Sequence, residues 1–340
     1  MTNRWSPDEI LEMVRAFQPA CVLVAAAELD VFSSLGARAM TAKAMAASLG
    51  CNRRATEVLL DALASLGFLT SRGGKYAVPA KTAELLSETS PRNILAAVRH
   101  SANCLRRWSQ LAKVVKTGRS AEQAASIRGR AADEAAFIGA MDNFSSPIAG
   151  KVVNQLKPLR FTHLLDIGCA SGTWTIAFLR AFPRARATLF DLPSVIPLAR
   201  RRIAKAGLGD RVTFVAGDYY CDRLPSGADF AWLSAIAHQN SRRQNRALFR
   251  KIYSALQNGG VLVIRDVVME PSRTKPLAGA MFAVNMLVAT QTGGTYTFDE
   301  FREDLTSAGF GKVTLVRHDQ AMNSLIHTGK GSAGSANTSS

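Results

Sequence analysis

The stretch from Leu164 to Phe178 (LLDIGCASGTWTIAF) constrains this chain more than any other. The run His163 to Ile167 is too short for a helix and reads as a buried strand. Gly168 and Gly172 follow, and glycine lets a backbone pass close to a ligand where a side chain would clash. Helix formers and β-branched residues resume at Thr173, so the turn opens a helix whose free N–H groups face whatever lies above it. A strand, a glycine turn and a helix start make a grip for a nucleotide-type ligand. The fingerprint G-x-G-x-x-G is absent and an acid, Asp166, stands two residues before the first glycine, which disfavours a nicotinamide-dependent oxidoreductase. The bland alternative is an ordinary glycine turn in an α/β domain.

Further short strands repeat the theme. Ala187 to Phe190 ends in Asp191, placed to take both ribose hydroxyls of a nucleoside. Arg211 to Ala216 runs into Gly217-Asp218-Tyr219-Tyr220, where an acid can accept from an exocyclic amine and an aromatic can cover an adenine face. Ala228 to Leu233 is a fourth strand, and Gly259-Gly260 precedes a fifth, Val261 to Ile264, which leads to Arg265-Asp266. Strands alternating with helical stretches predict an α/β fold with a doubly wound, mostly parallel sheet whose ligands sit at the carboxyl ends of its strands. Asp166, Asp191, Asp218, His238 and Asp266 all fall at such ends.

The N-terminal half reads differently. Apolar residues recur at helical spacing from Pro7 to about Phe32, in one or two helices. Thr41 and Asn52 cap two more, one ending at Gly50 and one running from Arg53 to about Leu66. Gly67 to Thr70, a turn over Ser71 to Gly74 and a return strand Lys75 to Val78 complete a winged helix. Such a unit can bind DNA, with Arg53 and Arg54 at the start of its second helix as phosphate contacts, or pair with its own copy. Between Ser90 and Leu159 lie more helices: Trp108, Leu111, Val114 and Val115 share an apolar face, and Phe137, Met141 and Phe144 align on a helix spanning Ala135 to Val153.

Net charge is +16, which would suit nucleic acid or acidic lipid. Its distribution argues otherwise: residues 1–160 carry 21 Lys+Arg against 13 Asp+Glu, and residues 161–340 the same. The clusters Arg200-Arg201-Arg202 with Lys205, and Arg242-Arg243 with Arg246 and Arg250, read as solvated helix faces. Dimerisation is therefore the expected use of the winged helix, with nucleic acid disfavoured. Five scattered cysteines without C-x-x-C spacing predict reduced thiols and no metal site, and an N-terminus with acids and a proline predicts a cytoplasmic protein without membrane span.

The series Leu165-Asp166-Ile167-Gly168-x-x-x-Gly172, Phe190-Asp191-Leu192-Pro193, Gly217-Asp218, His238 after the fourth strand and Met322-Asn323-Ser324-Leu325-Ile326 resembles the caffeic-acid-type family of S-adenosylmethionine (SAM)-dependent O-methyltransferases, in a bacterial-like form. The match covers roughly Ile10 to Lys330. The resemblance implies a class I SAM methyltransferase domain with a winged-helix dimerisation domain. It places Asp166, Gly168, Gly172, Asp191, Asp218 and Tyr219 around SAM, with Ser234 standing where plant members have a cofactor-contacting lysine. His238 matches the general base and Asp266 the acid that orients it. Phe137, Met141, Phe144, Met286, Leu287 and Gln291 match the walls of the acceptor pocket. Three departures stand out: Ala170 for the middle glycine, Gln239 for an acid after the base, and Thr295-Tyr296 where a second acid flanks it.

The chemistry suits the residues. Methyl transfer from a sulfonium to a hydroxyl is an in-line displacement, so the protein must align two atoms and remove a proton. An imidazole, with an ordinary pKa near ~6.5, is matched to that proton at neutral pH. The expected organisation is residues 1–110 for dimerisation, 111–160 as a helical connector, 161–328 for SAM and 329–340 as a disordered tail. The expected protein is a metal-independent homodimer methylating a hydroxyl of an aromatic or polyketide-like small molecule. C- or N-methylation, a non-methylating SAM-binding homologue, and an RNA methyltransferase are the alternatives.

Overall fold

The computed structural model describes residues 5–331, so the predicted tail lies outside the described residues from 332 onward. The chain divides into two compact units, one of residues up to Arg106 with Gln123–Asn143, the other of Arg107–Glu122 with the chain from Phe144 onward.

In the first unit, helices α1 (Pro7–Arg15), α2 (Phe17–Glu28) and α3 (Val31–Leu35) are followed by strand β1 (Met40–Thr41), α4 (Ala42–Leu49) and α5 (Arg53–Ser65). Thr41 and Asn52 cap α4 and α5 as predicted, accepting from Ala44 N–H at 3.2 Å and Ala55 N–H at 3.0 Å. The hairpin is shorter than its sequence suggests: β2 is Thr70–Arg72 and β3 is Lys75–Ala77. Gly67 and Phe68 are spent on closing α5, their N–H groups reaching Ala64 O and Leu63 O, so pairing starts only at Thr70. The turn is then Gly73-Gly74 alone, both at positive φ, as a two-residue hairpin turn demands.

Helices α6 (Ala80–Leu86) and α7 (Leu95–Trp108) follow; α8 (Leu111–Thr117) belongs to the second unit, and α9 (Arg130–Gln155) has residues in both. The core of the first unit gathers Val31, Phe32, Leu35, Met45, Leu60 and Leu63. Outside it, Ile10, Leu11, Met13, Val14 and Phe17 remain exposed. The 22 residues Pro7–Glu28 are long and apolar enough to cross a bilayer by length and composition. They form two helices here, divided at Ala16.

The second unit is built on a seven-stranded sheet. Its strands are β4 (His163–Ile167), β5 (Arg186–Asp191), β6 (Val212–Ala216), β7 (Ala228–Ser234), β8 (Leu256–Asp266), β11 (Thr314–Arg317) and β12 (Ser324–Gly329), in the order 11-12-8-7-4-5-6. The first five run parallel, and β12 is antiparallel to both neighbours. A separate pair, β9 (Val268–Met269) and β10 (Tyr296–Thr297), is parallel. Strand β8 begins well before the predicted Val261, because Gly259 and Gly260 are tied to Lys330 by backbone hydrogen bonds. Gly329 thus closes a strand and is not part of a tail.

Helices α10 (Thr173–Ala181) and α11 (Ile196–Lys205) cover one face of this sheet, and α12 (Arg242–Ala255) and α14 (Phe298–Ser307) the other. Between them lies α13 (Leu277–Ala289). The strand sequence reverses direction at β4, which sits between β5 and β7, so the ligand crevice of such a sheet opens beyond the carboxyl ends of these strands.

Candidate active site

Asp166 lies in β4, 2% exposed, and accepts from Thr175 Oγ1 of α10 at 2.6 Å. Burial pushes its carboxyl up to about 7, against the pull of the Thr175 hydrogen bond and with a smaller push from Asp191. The backbone then turns sharply. Gly168 has φ +69°, and a Cβ on it would come within 2.6 Å of Ile236 Cδ1. Ala170 occupies the left-handed region as well, at φ +47°, despite its side chain. Its N–H donates to Asp191 Oδ2 at 2.7 Å, so the position where glycine was expected serves a carboxylate of this chain. Gly172 is the N-cap of α10.

Asp191 ends β5. Leu192 N–H donates to its Oδ1 at 2.7 Å, and burial holds the carboxyl above its ordinary range against these two N–H donors. Asp218 folds its loop by accepting from Tyr220 N–H at 2.8 Å. Lys251 clamps the same loop, its Nζ donating to the carbonyls of Tyr219, Tyr220 and Asp222 at 2.8, 2.9 and 2.8 Å. The Tyr219 ring stands tilted against Tyr220, with centroids 4.6 Å apart, and burial raises its hydroxyl pKa. Lys251 carries no sequence signal of this clamping role: it directly follows the basic cluster Arg242, Arg243, Arg246 and Arg250.

His238 sits in a single helical turn after β7 and is 6% exposed. Its Nδ1 is 2.8 Å from Asp266 Oδ1, its backbone N–H donates to Asp266 Oδ2 at 3.3 Å, and Val267 N–H donates to Oδ1 at 2.8 Å. With Nδ1 donating to the carboxylate, the neutral ring keeps its lone pair on Nε2, which has no partner among the described residues. The ring of Phe282 meets the imidazole edge to face at 4.7 Å. Gly294 N–H donates to His238 O at 2.9 Å, and a Cβ on Gly293 would lie 2.6 Å from that oxygen, so Gly293 is needed for the chain beyond α13 to pass the His238 turn. Thr295 is buried, its carbonyl accepting from Arg273 Nη1 at 3.1 Å, and Tyr296 hydrogen-bonds the Asn240 carbonyl through its hydroxyl. Gln239, where an acid was expected, turns its amide to Ala235 O at 3.3 Å.

The predicted acceptor residues fall unevenly. Phe137 and Met141 belong to the first unit, where Phe137 meets the His100 ring at 5.3 Å. Phe144 belongs to the second and is exposed. On α13, Met286 is buried four residues after Phe282, whereas Leu287 is exposed and roughly 140° around the helix from Phe282. Gln291 is exposed beyond the helix end. Phe282 is the residue the sequence did not single out; one helical turn later Asn285 Oδ1 accepts from Trp108 Nε1 at 2.9 Å. Trp108, Leu111 and Val114 pack with Val288, but Val115, placed with them from the sequence, is 68% exposed: it directly follows the buried Val114 and points elsewhere.

A parallel sheet reversing at a glycine turn, with acids closing β4 and β5, defines a class I methyltransferase fold. Residues 108–311 match the O-methyltransferase domain and residues 11–89 the O-methyltransferase dimerisation domain. The chain is 30% identical over 332 residues to the tetracenomycin polyketide synthesis 8-O-methyl transferase TcmO of Streptomyces glaucescens, covering 92% of this chain and 94% of that one. It is 29% identical over 316 residues to the 3-hydroxy-5-methyl-1-naphthoate 3-O-methyltransferase of Streptomyces sahachiroi, covering 92% and 91%. The solved structure of human N-acetylserotonin methyltransferase in complex with SAM superposes with a TM-score of 0.80 at 25% identity, covering 98% of this chain and all of that one. The chain belongs to the O-methyltransferase family and is a SAM-dependent methyltransferase.

The residues present fit that cofactor. Asp166, Asp191 and Asp218 make a set of acceptors that suits a diol, an amine and a cation and would repel a pyrophosphate. Burial raises the first two carboxyls, so a neighbouring positive charge would be welcome there.

Proposed function

We propose that this protein transfers a methyl group to a hydroxyl of an aromatic or polyketide-like small molecule, with His238 as general base. The observation that carries the reading is the buried His238–Asp266 pair at 2.8 Å, with Nε2 left open. Asp266 holds the ring in one tautomer and orientation, and its grip on His238 N–H fixes the backbone of the same turn. Nε2 then takes the proton from an acceptor hydroxyl, which makes the oxygen a nucleophile. SAM, held by Asp166, Gly168, Gly172, Asp191, Asp218, Tyr219 and Ser234, supplies an electrophilic methyl on a sulfonium. Phe282 limits where a flat acceptor can lie against the imidazole, and Phe144 and Met286, in the same unit, are assigned to its walls. The names of the two Streptomyces relatives, a naphthoate and a polyketide enzyme, support an aromatic acceptor.

The same reading makes the chain a homodimer through its N-terminal unit, whose exposed Ile10, Leu11, Met13, Val14 and Phe17 are a surface for a second copy. Residues 1–110, 111–160 and 161–328 are assigned to dimerisation, connection to the acceptor site and SAM binding.

The test is turnover of a phenol panel with labelled SAM by His238→Ala. Removing a general base should lower kcat by about 10²-fold or more, while S-adenosylhomocysteine binds with unchanged affinity in calorimetry. Unchanged turnover would reject the base. Carbon-13 NMR of the product separates an O-methyl from a C-methyl group and decides the atom methylated.

A further inference from the structure

Arg265, the penultimate residue of β8, is 4% exposed, and none of its hydrogen bonds goes to an acid. Its Nε and Nη2 donate to Asn323 Oδ1 at 2.9 and 2.7 Å, and its Nη1 donates to Ser234 Oγ at 3.0 Å. Both acceptors are neutral, and the guanidinium lies over the Trp174 ring at 4.7 Å. The nearby acids are committed elsewhere: Asp266 to His238, and Asp319 to Arg317 at 2.8 Å. Burying a cation that no acid hydrogen-bonds is costly, and burial draws the guanidinium pKa down to about 10 against the upward pull of Asp266 and Asp319. Of its five N–H groups, these bonds use three, leaving one on each terminal nitrogen.

A second orphan lies beside it. Trp232, two residues before Ser234 on the same face of β7, is fully buried, and its Nε1–H has no hydrogen-bond partner. Its ring packs 5.0 Å from Trp174, the ring on which Arg265 lies. The guanidinium N–H groups with no anion hydrogen-bonded to them stand where Ser234 and Arg265 pair at the carboxyl ends of two neighbouring parallel strands, a place built for an acceptor that arrives from outside the chain. Ser234, the half-buried member, is the one that solvent reaches.

We propose that Arg265 and Ser234 form a carboxylate subsite, and that its occupant is the amino-acid end of SAM. An acidic acceptor offers the same chemistry, so the test separates the two. The proposal rests on the family's use of SAM and is independent of the role given to His238. Calorimetry on the full chain compares S-adenosylhomocysteine with its decarboxylated analogue, which keeps the amine, on the wild type and on Arg265→Met and Arg265→Lys. Loss of a charge-assisted pair should weaken S-adenosylhomocysteine by about 10-fold or more in Arg265→Met, leave the analogue within twofold, and be partly restored in Arg265→Lys. Ser234→Ala, which removes one small hydroxyl and leaves the arginine in place, should show a weaker loss of the same selectivity. If the selectivity survives but KM rises for an acidic acceptor and not for its methyl ester, the subsite holds the acceptor. Equal weakening of both nucleosides, or no change in any of these measurements, would overturn it.

Discussion

Asp166 and Asp266 are both buried carboxylates near the carboxyl ends of strands in one sheet, yet their surroundings are opposite. Asp166 has one side-chain donor, the hydroxyl of Thr175, and burial lifts its pKa to about 7. Asp266 gathers the imidazole and two backbone N–H groups. The difference teaches that burial alone does not assign a role to an acid. A hydroxyl can satisfy a protonated carboxyl as well as a carboxylate, whereas three N–H donors are useful only to an acceptor that donates nothing back.

Asparagine substitutions put this contrast at risk. Asp266→Asn should lower kcat by about 10-fold to 100-fold, because an amide can present its NH2 to Nδ1 and favour the wrong tautomer, while S-adenosylhomocysteine affinity holds. Asp166→Asn should cost less than about threefold in kcat at pH 7, since the native carboxyl is already half protonated and bonded to a hydroxyl there. Comparable losses in both variants would erase the distinction.

Stability against pH sharpens it. A carboxyl with a folded pKa of about 7 and an unfolded value near ~3.9 binds its proton more tightly in the native state. It therefore adds stability below about pH 4, and that contribution is lost as pH rises through 7, at a slope of up to about 1.3 kcal/mol per pH unit. Without cofactor, the wild-type Tm should fall across this window relative to Asp166→Asn. Parallel Tm profiles for the two proteins would remove the buried-acid account. The smallest effect is expected at Ala170. Glycine there relieves a left-handed conformation but adds unfolded-state freedom, so Ala170→Gly should change stability by less than about 1 kcal/mol and leave the Asp191 contact intact. A loss of S-adenosylhomocysteine affinity in that variant would show that the alanine methyl holds the turn.

Much of the site was legible because it sits on local signals. The glycine turn after β4, the acids at the ends of β4 and β5, and the caps at Thr41 and Asn52 depend on a few consecutive residues and on backbone chemistry that travels with them. The His238–Asp266 pair, 28 residues apart, came from the family resemblance, and the contact itself arises only because β7 and β8 are neighbours in register. Hairpin boundaries were less legible, since Gly67 can start a strand or end a helix and only the pull of α5's last carbonyls decides.

The sequence by itself determined the five parallel strands with the helical stretches between them, the position of the glycine turn and the acids near the strand ends, because periodicity, capping and glycine placement are local. Tertiary structure alone decided that Ala170's N–H serves Asp191, that Phe282 meets the His238 ring, and that Arg265 is buried with its hydrogen bonds going to the neutral Ser234 and Asn323. Each of these joins residues from separate elements, and such contacts follow from strand register and helix rotation, which no short window of sequence contains.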